Sequence, residues 1–136
     1  MLQLTGKTAV VTGGSRGIGR ATAITLARLG ANVAINYARN AEAAEETVKE
    51  IKGFGGNAAS FAADVADTEQ ANSLVEKTVG RFGTVDILVN CAGITRDGLL
   101  IRMKDEDWRQ VIDTNLTGVF NCTRAVSRIM MKKRWG

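Results

Sequence analysis

The stretch TAVVTGGSRGIGRATAITLARLG, residues 8–30, leaves a chain few ways to fold. Ala9, Val10 and Val11 make a short apolar run. Gly13, Gly14, Gly17 and Gly19 crowd the turn after it, and a segment of helical period follows, with Ile18, Ala21, Ile24, Ala27 and Leu29 on or near one face. Glycines let backbone N–H groups approach an anion with no Cβ in the way. The helix behind them points the positive end of its dipole at the same place. Strand, glycine turn and helix in this order open the dinucleotide-binding folds, where the anion is a pyrophosphate. A plain tight turn between strand and helix also uses glycine, so this stretch alone supports either reading.

Downstream, apolar runs alternate with helical segments. Residues 32–36 read as a second strand. Asn40 is placed to cap a helix over residues 41–52, with Glu42 in its first turn and Gly53, Gly55 and Gly56 at its end. Residues 58–63 form a third strand, closed by Asp64 and Val65. Asp67 begins another helix, with Gln70 as the reciprocal capping residue and Leu74, Val75 and Val79 turned inward. Residues 85–90, VDILVN, read as a fourth strand buried on both faces, with Asp86 anchoring its start. After a loop, one long helix is predicted over residues 104–131, with an apolar stripe of Trp108, Val111, Ile112, Leu116, Val119, Phe120, Val126 and Ile129. The alternation predicts an α/β fold, a Rossmann-type doubly wound parallel sheet in a single domain, residues 1–136. The expected strand order is 3-2-1-4, with right-handed crossovers and the first strand central.

Composition narrows the chemistry. The chain has no His, so zinc sites and His-based triads would need another chain, and no metal site is expected. Cys91 and Cys122 form no C-x-x-C and read as reduced thiols of a cytosolic protein. No apolar run is long enough to span a bilayer, and the first residues lack a signal-peptide pattern, so a cytoplasmic location and no membrane partner are expected. The net charge of +4 gathers in Arg124, Arg128, Lys132, Lys133 and Arg134. That patch suits an acidic partner; without interleaved aromatics, nucleic acid is not expected.

Three motifs then occur in order: Gly13-x-x-x-Gly17-x-Gly19 after Thr12, Asn90-Cys91-Ala92-Gly93 at the end of the fourth strand, and Asp113-Thr114-Asn115-Leu116-Thr117-Gly118 in the long helix. Together they resemble the short-chain dehydrogenase/reductase family, over residues 4–136. The resemblance implies a nicotinamide cofactor held at Gly13, Gly14, Ser15, Arg16, Gly17, Ile18 and Gly19. It places Asp64 and Val65 at the adenine, with the Asp64 carboxylate accepting from the exocyclic amine, and Asn90, Ala92 and Gly93 beside the ribose. Asn115 matches the family's helix-kinking active-site Asn, whose main chain holds a water of the proton relay. Cys91 stands where the family usually has a second Asn.

Local residues bear on cofactor choice. NAD sites hold a carboxylate near the end of the second strand for the ribose 2′-hydroxyl. Here Asn36, Tyr37, Ala38 and Arg39 occupy that place. Arg16 and Arg39 are placed to clamp a 2′-phosphate, so NADP(H) is the expected cofactor. The plain alternative for Arg39 is a solvated loop charge.

Within the family, the wording TGGSRGIGRA, NCAGITRDGLLIRMKDEDW and VIDTNLTGVFNCTRAVSRIMMKKR is similar to the β-ketoacyl-acyl-carrier-protein reductases of fatty-acid synthesis. That resemblance implies hydride transfer from NADPH to the keto group of an acyl substrate. It also implies a homo-oligomer, and an acidic carrier protein steered by Lys132, Lys133 and Arg134. A solvated helix end is the simpler account of those charges. The family's Tyr-x-x-x-Lys and its Ser are not found: Tyr37 is the only tyrosine, and Ala41 stands four residues on. The chain is therefore expected to be the N-terminal half, truncated after the fourth strand and the long helix and lacking the C-terminal catalytic part. An open apolar strand edge would then favour association. The alternative function is a non-catalytic nucleotide-binding or assembly module.

Overall fold

In this computed structural model, which describes residues 2–136, strand β1 (Thr8–Thr12) is buried along its whole length. Such a strand needs neighbours on both edges and helices on both faces. β2 (Asn32–Tyr37) pairs with it on one side and β4 (Ile87–Asn90) on the other, both parallel. β3 (Asn57–Ala62) lies outside β2, giving the order β3-β2-β1-β4, as the alternation of strands and helices predicts.

Successive side chains point to opposite faces. Val11, Val33 and Ile35 meet α1 (Gly17–Arg28) and α2 (Ala41–Gly53) through Ala23, Ala27, Ala44, Val48 and Ile51. Val10 and Ala34 meet α3 (Thr68–Phe82) and α5 (Gly118–Lys133) through Leu74, Val75 and Val126.

Three expectations need correction. First, α1 buries Gly19, Ala23 and Ala27, whereas Ile18 is 81% exposed. A face of small residues lets the helix lie close to the sheet, and this outweighs the larger apolar side chain. Second, the long helix is not continuous. α4 (Asp105–Ile112) runs into a π-helical turn (Asp113–Thr117) before α5, and a 3-10 turn (Leu100–Arg102) interrupts the preceding loop. The π turn adds a residue and rotates the register. α4 and the π turn bury no side chain, and burial begins only in α5, so Trp108 and Leu116 stand exposed, as does Phe120 on the outer face of α5, while Val126 is buried. Third, β4 pairs only with β1, and Ile87, Leu88 and Val89 are half-buried instead of enclosed on both faces. Val85 and Asp86 are buried just ahead of the strand.

Asp86 ties the start of the sheet together. Its Oδ2 accepts from the Thr8 N–H at 2.9 Å, and its own N–H donates to the Thr8 carbonyl at 2.8 Å. Lys133, at the end of α5, donates to Asp86 Oδ1 and, at 2.8 Å, to Thr84 Oγ1. Lys133 is thus committed within the fold and is not a free member of the basic patch. Burial pushes the Asp86 carboxyl up. Hydrogen bonds from Lys133 and Thr8, with the charges of Lys133 and Lys7, more than offset this and hold it below its ordinary 3.8. The folded state therefore favours the charged form. Its contribution is complete above that value and is lost as the pH falls through the lower folded-state value.

In urea titrations, Asp86→Asn should flatten the loss of stability below pH about 4 relative to the parent chain. Asp86→Ala should cost about 2 kcal/mol at neutral pH, because the Thr8 N–H loses its side-chain acceptor. An unaltered acid limb in Asp86→Asn would contradict this role.

Candidate functional site

Three stretches meet at the carboxyl end of β1: the glycine turn, the end of β2 and the segment after β4. The Thr12 hydroxyl closes β1 by accepting from the Cys91 and Ala92 N–H groups, each at 3.0 Å. Gly13 follows with φ of 63°, and a methyl group there would stand 2.9 Å from the Ala92 backbone. Both the left-handed backbone and the close approach require glycine. At Gly19 a methyl group would fall on the Gly13 carbonyl oxygen, so the first turn of α1 can fold over the loop only without a side chain. The N–H groups of Gly17, Ile18 and Gly19 open that turn with no carbonyl one turn behind them.

The turn is braced from below. Asn36, 1% exposed, accepts from the Gly13 N–H through Oδ1 at 3.3 Å and donates through Nδ2 to the Ala63 carbonyl at 3.0 Å. Its own carbonyl takes the Gly14 N–H at 3.0 Å. Sequence reasoning puts Asn36 beside the cofactor; its side chain instead holds the turn to the ends of β2 and β3. Thr47, also buried, shares its one hydroxyl proton between the Ala43 carbonyl at 3.2 Å and the Ser15 carbonyl at 3.4 Å and accepts from Arg20 Nη1 at 3.0 Å, while Arg20 pairs with Glu50. Thr12 is only a flanking residue in the sequence motif, and Thr47 and Arg20 carry no signal at all, because their partners lie far along the chain.

Arg16 and Arg39 are exposed, and neither guanidinium has a partner among the described residues. Tyr37 is half-buried and packs on the core beneath α1 and α2. Ile18, in the first turn of α1, is 81% exposed and takes no part in the core.

Asp64 and Val65 leave β3 on the same edge of the sheet. The Asp64 N–H donates to Gln70 Oε1 at 2.8 Å, and its Oδ1 accepts from the Ala66 N–H at 3.0 Å. Asp67 caps α3 by accepting from the Gln70 N–H at 3.0 Å. Gln70 does not return to Asp67 as a capping box would. The Asp67 N–H already donates to the Asp64 carbonyl, so Gln70 reaches past it to Asp64. Val65 is buried against Ala71 and Cys122, with Ala92 and Leu88 at the border of the same cluster. Burial pushes the Cys122 thiol up to about 11.

At the other end, Asn115 lies in the π-helical turn. Its Oδ1 accepts from the Ile94 N–H and its Nδ2 donates to the Ile94 carbonyl, both at 2.8 Å. This two-bond pairing fixes the segment after β4. Arg16, Gly93, Ile94, Thr95, Arg96 and Asn115 line an open groove of about 410 Å³. The glycine turn, Ala92, Gly93, Arg16 and Asn115 are thus brought together. Asn90 is exposed at the end of β4, and Cys91 is a half-buried free thiol between it and Ala92. Lys132 and Arg134 are not part of this assembly. They flank Lys133, which bonds Thr84 and Asp86 at the amino end of β4, the opposite edge of the sheet.

The arrangement suits a dinucleotide: a cradle that any Cβ would fill, first-turn N–H groups for a pyrophosphate, and two unpaired guanidinium groups. Thr12→Val should cost about 2 kcal/mol in urea unfolding, because two N–H groups lose their acceptor; Thr12→Ser should cost under about 1 kcal/mol. Equal losses would contradict the role given to the hydroxyl.

Comparison with known proteins agrees with this geometry. A 3-oxoacyl-acyl-carrier-protein reductase of Synechocystis is 52% identical over 136 residues, covering 100% of this chain and 55% of the relative. The enzyme of the same name from Staphylococcus aureus is 51% identical over 130 residues, covering 96% of this chain and 53% of the relative. This chain spans about half the length of the curated relatives it matches. Among solved structures, a dehydrogenase/reductase from Sinorhizobium meliloti superposes with a TM-score of 0.92 at 43% identity, over 94% of this chain and 51% of that one. A short-chain dehydrogenase from Burkholderia cenocepacia, in complex with NADP, gives 0.90 at 42% identity, over 93% and 52%. A family model described as short chain dehydrogenase matches residues 7–136. The chain belongs to the short chain dehydrogenase family.

Proposed function

We propose that this chain forms the cofactor-binding half of an NADPH-dependent reductase for the keto group of a carrier-bound acyl chain. The observation that carries the reading is the cradle at Gly13 and Gly19, with Arg16 and Arg39 unpaired and no carboxylate in residues 36–39. The NADP complex of the Burkholderia neighbour supports the cofactor, and the names of the curated relatives support the substrate class.

The first-turn N–H groups of α1 and the glycine turn would hold the pyrophosphate. Arg16 and Arg39 would take the 2′-phosphate by charge-assisted hydrogen bonds. Asp64 and Val65 would meet the adenine, and Asn90, Ala92 and Gly93 the ribose. Asn115, its side chain tied to Ile94, would keep the floor of the groove in place and leave its main chain for a relay water. When bound, the nicotinamide supplies a hydride to a carbonyl carbon.

Protonating the resulting alkoxide needs an acid, and these residues hold none of the expected kind. Tyr37 is half-buried in the scaffold, with Ala41 four residues on. We infer that the 136 residues bind nucleotide but do not turn over without further residues. The same observation favours the second reading, a non-catalytic nucleotide-binding or assembly module. Exposed Trp108, Leu116 and Phe120 and the outer edge of β4 support a homo-oligomer in which these surfaces are covered. With Lys133 committed, Lys132 and Arg134 are left to steer an acidic carrier. At the opposite edge of the sheet they would attract it without touching the groove.

Calorimetry should show NADPH binding more tightly than NADH. Arg39→Ala should lower NADPH affinity about tenfold and leave NADH unchanged. Binding of neither nucleotide by the parent chain would overturn the proposal. Mixed with NADPH and a β-keto acyl thioester, the purified chain should oxidise no NADPH above background; clear turnover would refute the inferred incompleteness.

A further inference from the structure

Asn121 is a polar side chain in the first turn of α5, 2% exposed, with an apolar neighbour on either side in Phe120 and Cys122. Such a group is retained at a cost unless its hydrogen bonds are made. All of the bonds it makes run to one short segment on another part of the fold. Nδ2 donates to the Val65 carbonyl at 2.9 Å and to the Ala66 carbonyl at 3.3 Å, and Oδ1 accepts from the Thr68 hydroxyl at 3.4 Å. None goes to its own helix. One turn earlier on the same face, Gly118 leaves room for Val65: a methyl group there would stand 2.7 Å from Val65 Cγ2. Two independent features of α5 therefore fit the shape of the segment that follows β3.

We propose that Asn121 is the positioning residue for base recognition, fixing the backbone of Val65 and Ala66 so that the Asp64–Val65 corner meets the adenine of a bound dinucleotide. This inference rests on the nucleotide-binding reading above and assigns a further residue to it. The path is short. Asp64 Oδ1 is oriented by the Ala66 N–H, and the Ala66 carbonyl is held by Asn121. Loss of the Asn121 donors frees two carbonyls to rotate, and the carboxylate that would accept the exocyclic amine turns with them. Asn121 touches no ligand itself. Its bonds reach only the segment after β3, whereas the glycine turn is braced through Asn36, Thr12 and Thr47; the one link between the two is the Ala63 carbonyl, which Asn36 and not Asn121 holds.

The test compares NADPH with its hypoxanthine counterpart, which lacks the 6-amino donor, and with reduced nicotinamide mononucleotide. In Asn121→Leu, chosen for similar volume, NADPH affinity should fall about tenfold. The preference for adenine over hypoxanthine should shrink towards unity, and affinity for the mononucleotide should stay at the parent value. A folded Asn121→Leu chain that keeps both NADPH affinity and base preference would overturn the proposal. So would an equal loss for all three ligands, which is the signature of general destabilisation. A second measurement needs no variant: in the parent chain, the Asn121 side-chain amide resonances should shift on adding adenosine 2′,5′-bisphosphate and not on adding the mononucleotide. Shifts at Val65 and Ala66 with a silent Asn121 amide would also overturn it. A parent chain that binds none of these ligands defeats the nucleotide reading itself, and this assignment with it.

Discussion

Gly13 can lie against Ala92 only because it carries no side chain: even a methyl group there would stand 2.9 Å from the Ala92 backbone. That contact, closed by the Thr12 hydroxyl on one side and by Asn36 on the other, makes one rigid edge from three separate strands. It is possible because β1 is enclosed by the sheet on both edges and by helices on both faces, so its carboxyl end has a single position. The glycines of the turn have two separable duties here. Gly13 permits a close approach and a left-handed backbone, whereas Gly19 permits the first turn of α1 to begin over the Gly13 carbonyl. A cradle lined by N–H groups follows from the packing of the sheet, before any ligand is considered.

The second organising element is the interrupted helix. α4, the π-helical turn and α5 carry Asn115 to the segment after β4, where it pairs with Ile94, and Asn121 to the segment after β3, where it bonds Val65 and Ala66. Both asparagines are poor helix formers for a physical reason: their amides compete for backbone groups. In this fold those amides are directed at backbone outside the helix. At the far end, Lys133 locks the last turn of α5 to Asp86 and so to the first residue of β1. The helix therefore spans the sheet from its amino edge to its carboxyl edge and is fixed at both.

Much of this was legible in the sequence. The alternation of apolar runs with capped helical segments was enough for the strand order, and the glycine spacing was enough to locate the turn. What escaped was long-range or small. Asn36 reads as a cofactor residue from its place near the end of β2, but its buried amide belongs to Gly13 and Ala63, which no local pattern reveals. The face of α1 is misread because Gly19, Ala23 and Ala27 count for little on a hydrophobic scale, yet decide how closely the helix approaches. The break at residues 113–117 contains no proline or glycine, so periodicity misses it; only the resemblance at Asn115 points to a kink there, and in the structure that Asn pairs with Ile94 after β4. Lys133 looks like surface charge until Asp86, many residues away, is placed beneath it.

The central claim is that these separate braces form one nucleotide cradle. Hydrogen–deuterium exchange of the chain with and without NADPH tests it most directly. The account predicts added protection in residues 13–19, 64–66 and 93–95 together, with the outer edge of β4 unchanged. Protection confined to β4 and α5, or no change at any of the three segments, would contradict it.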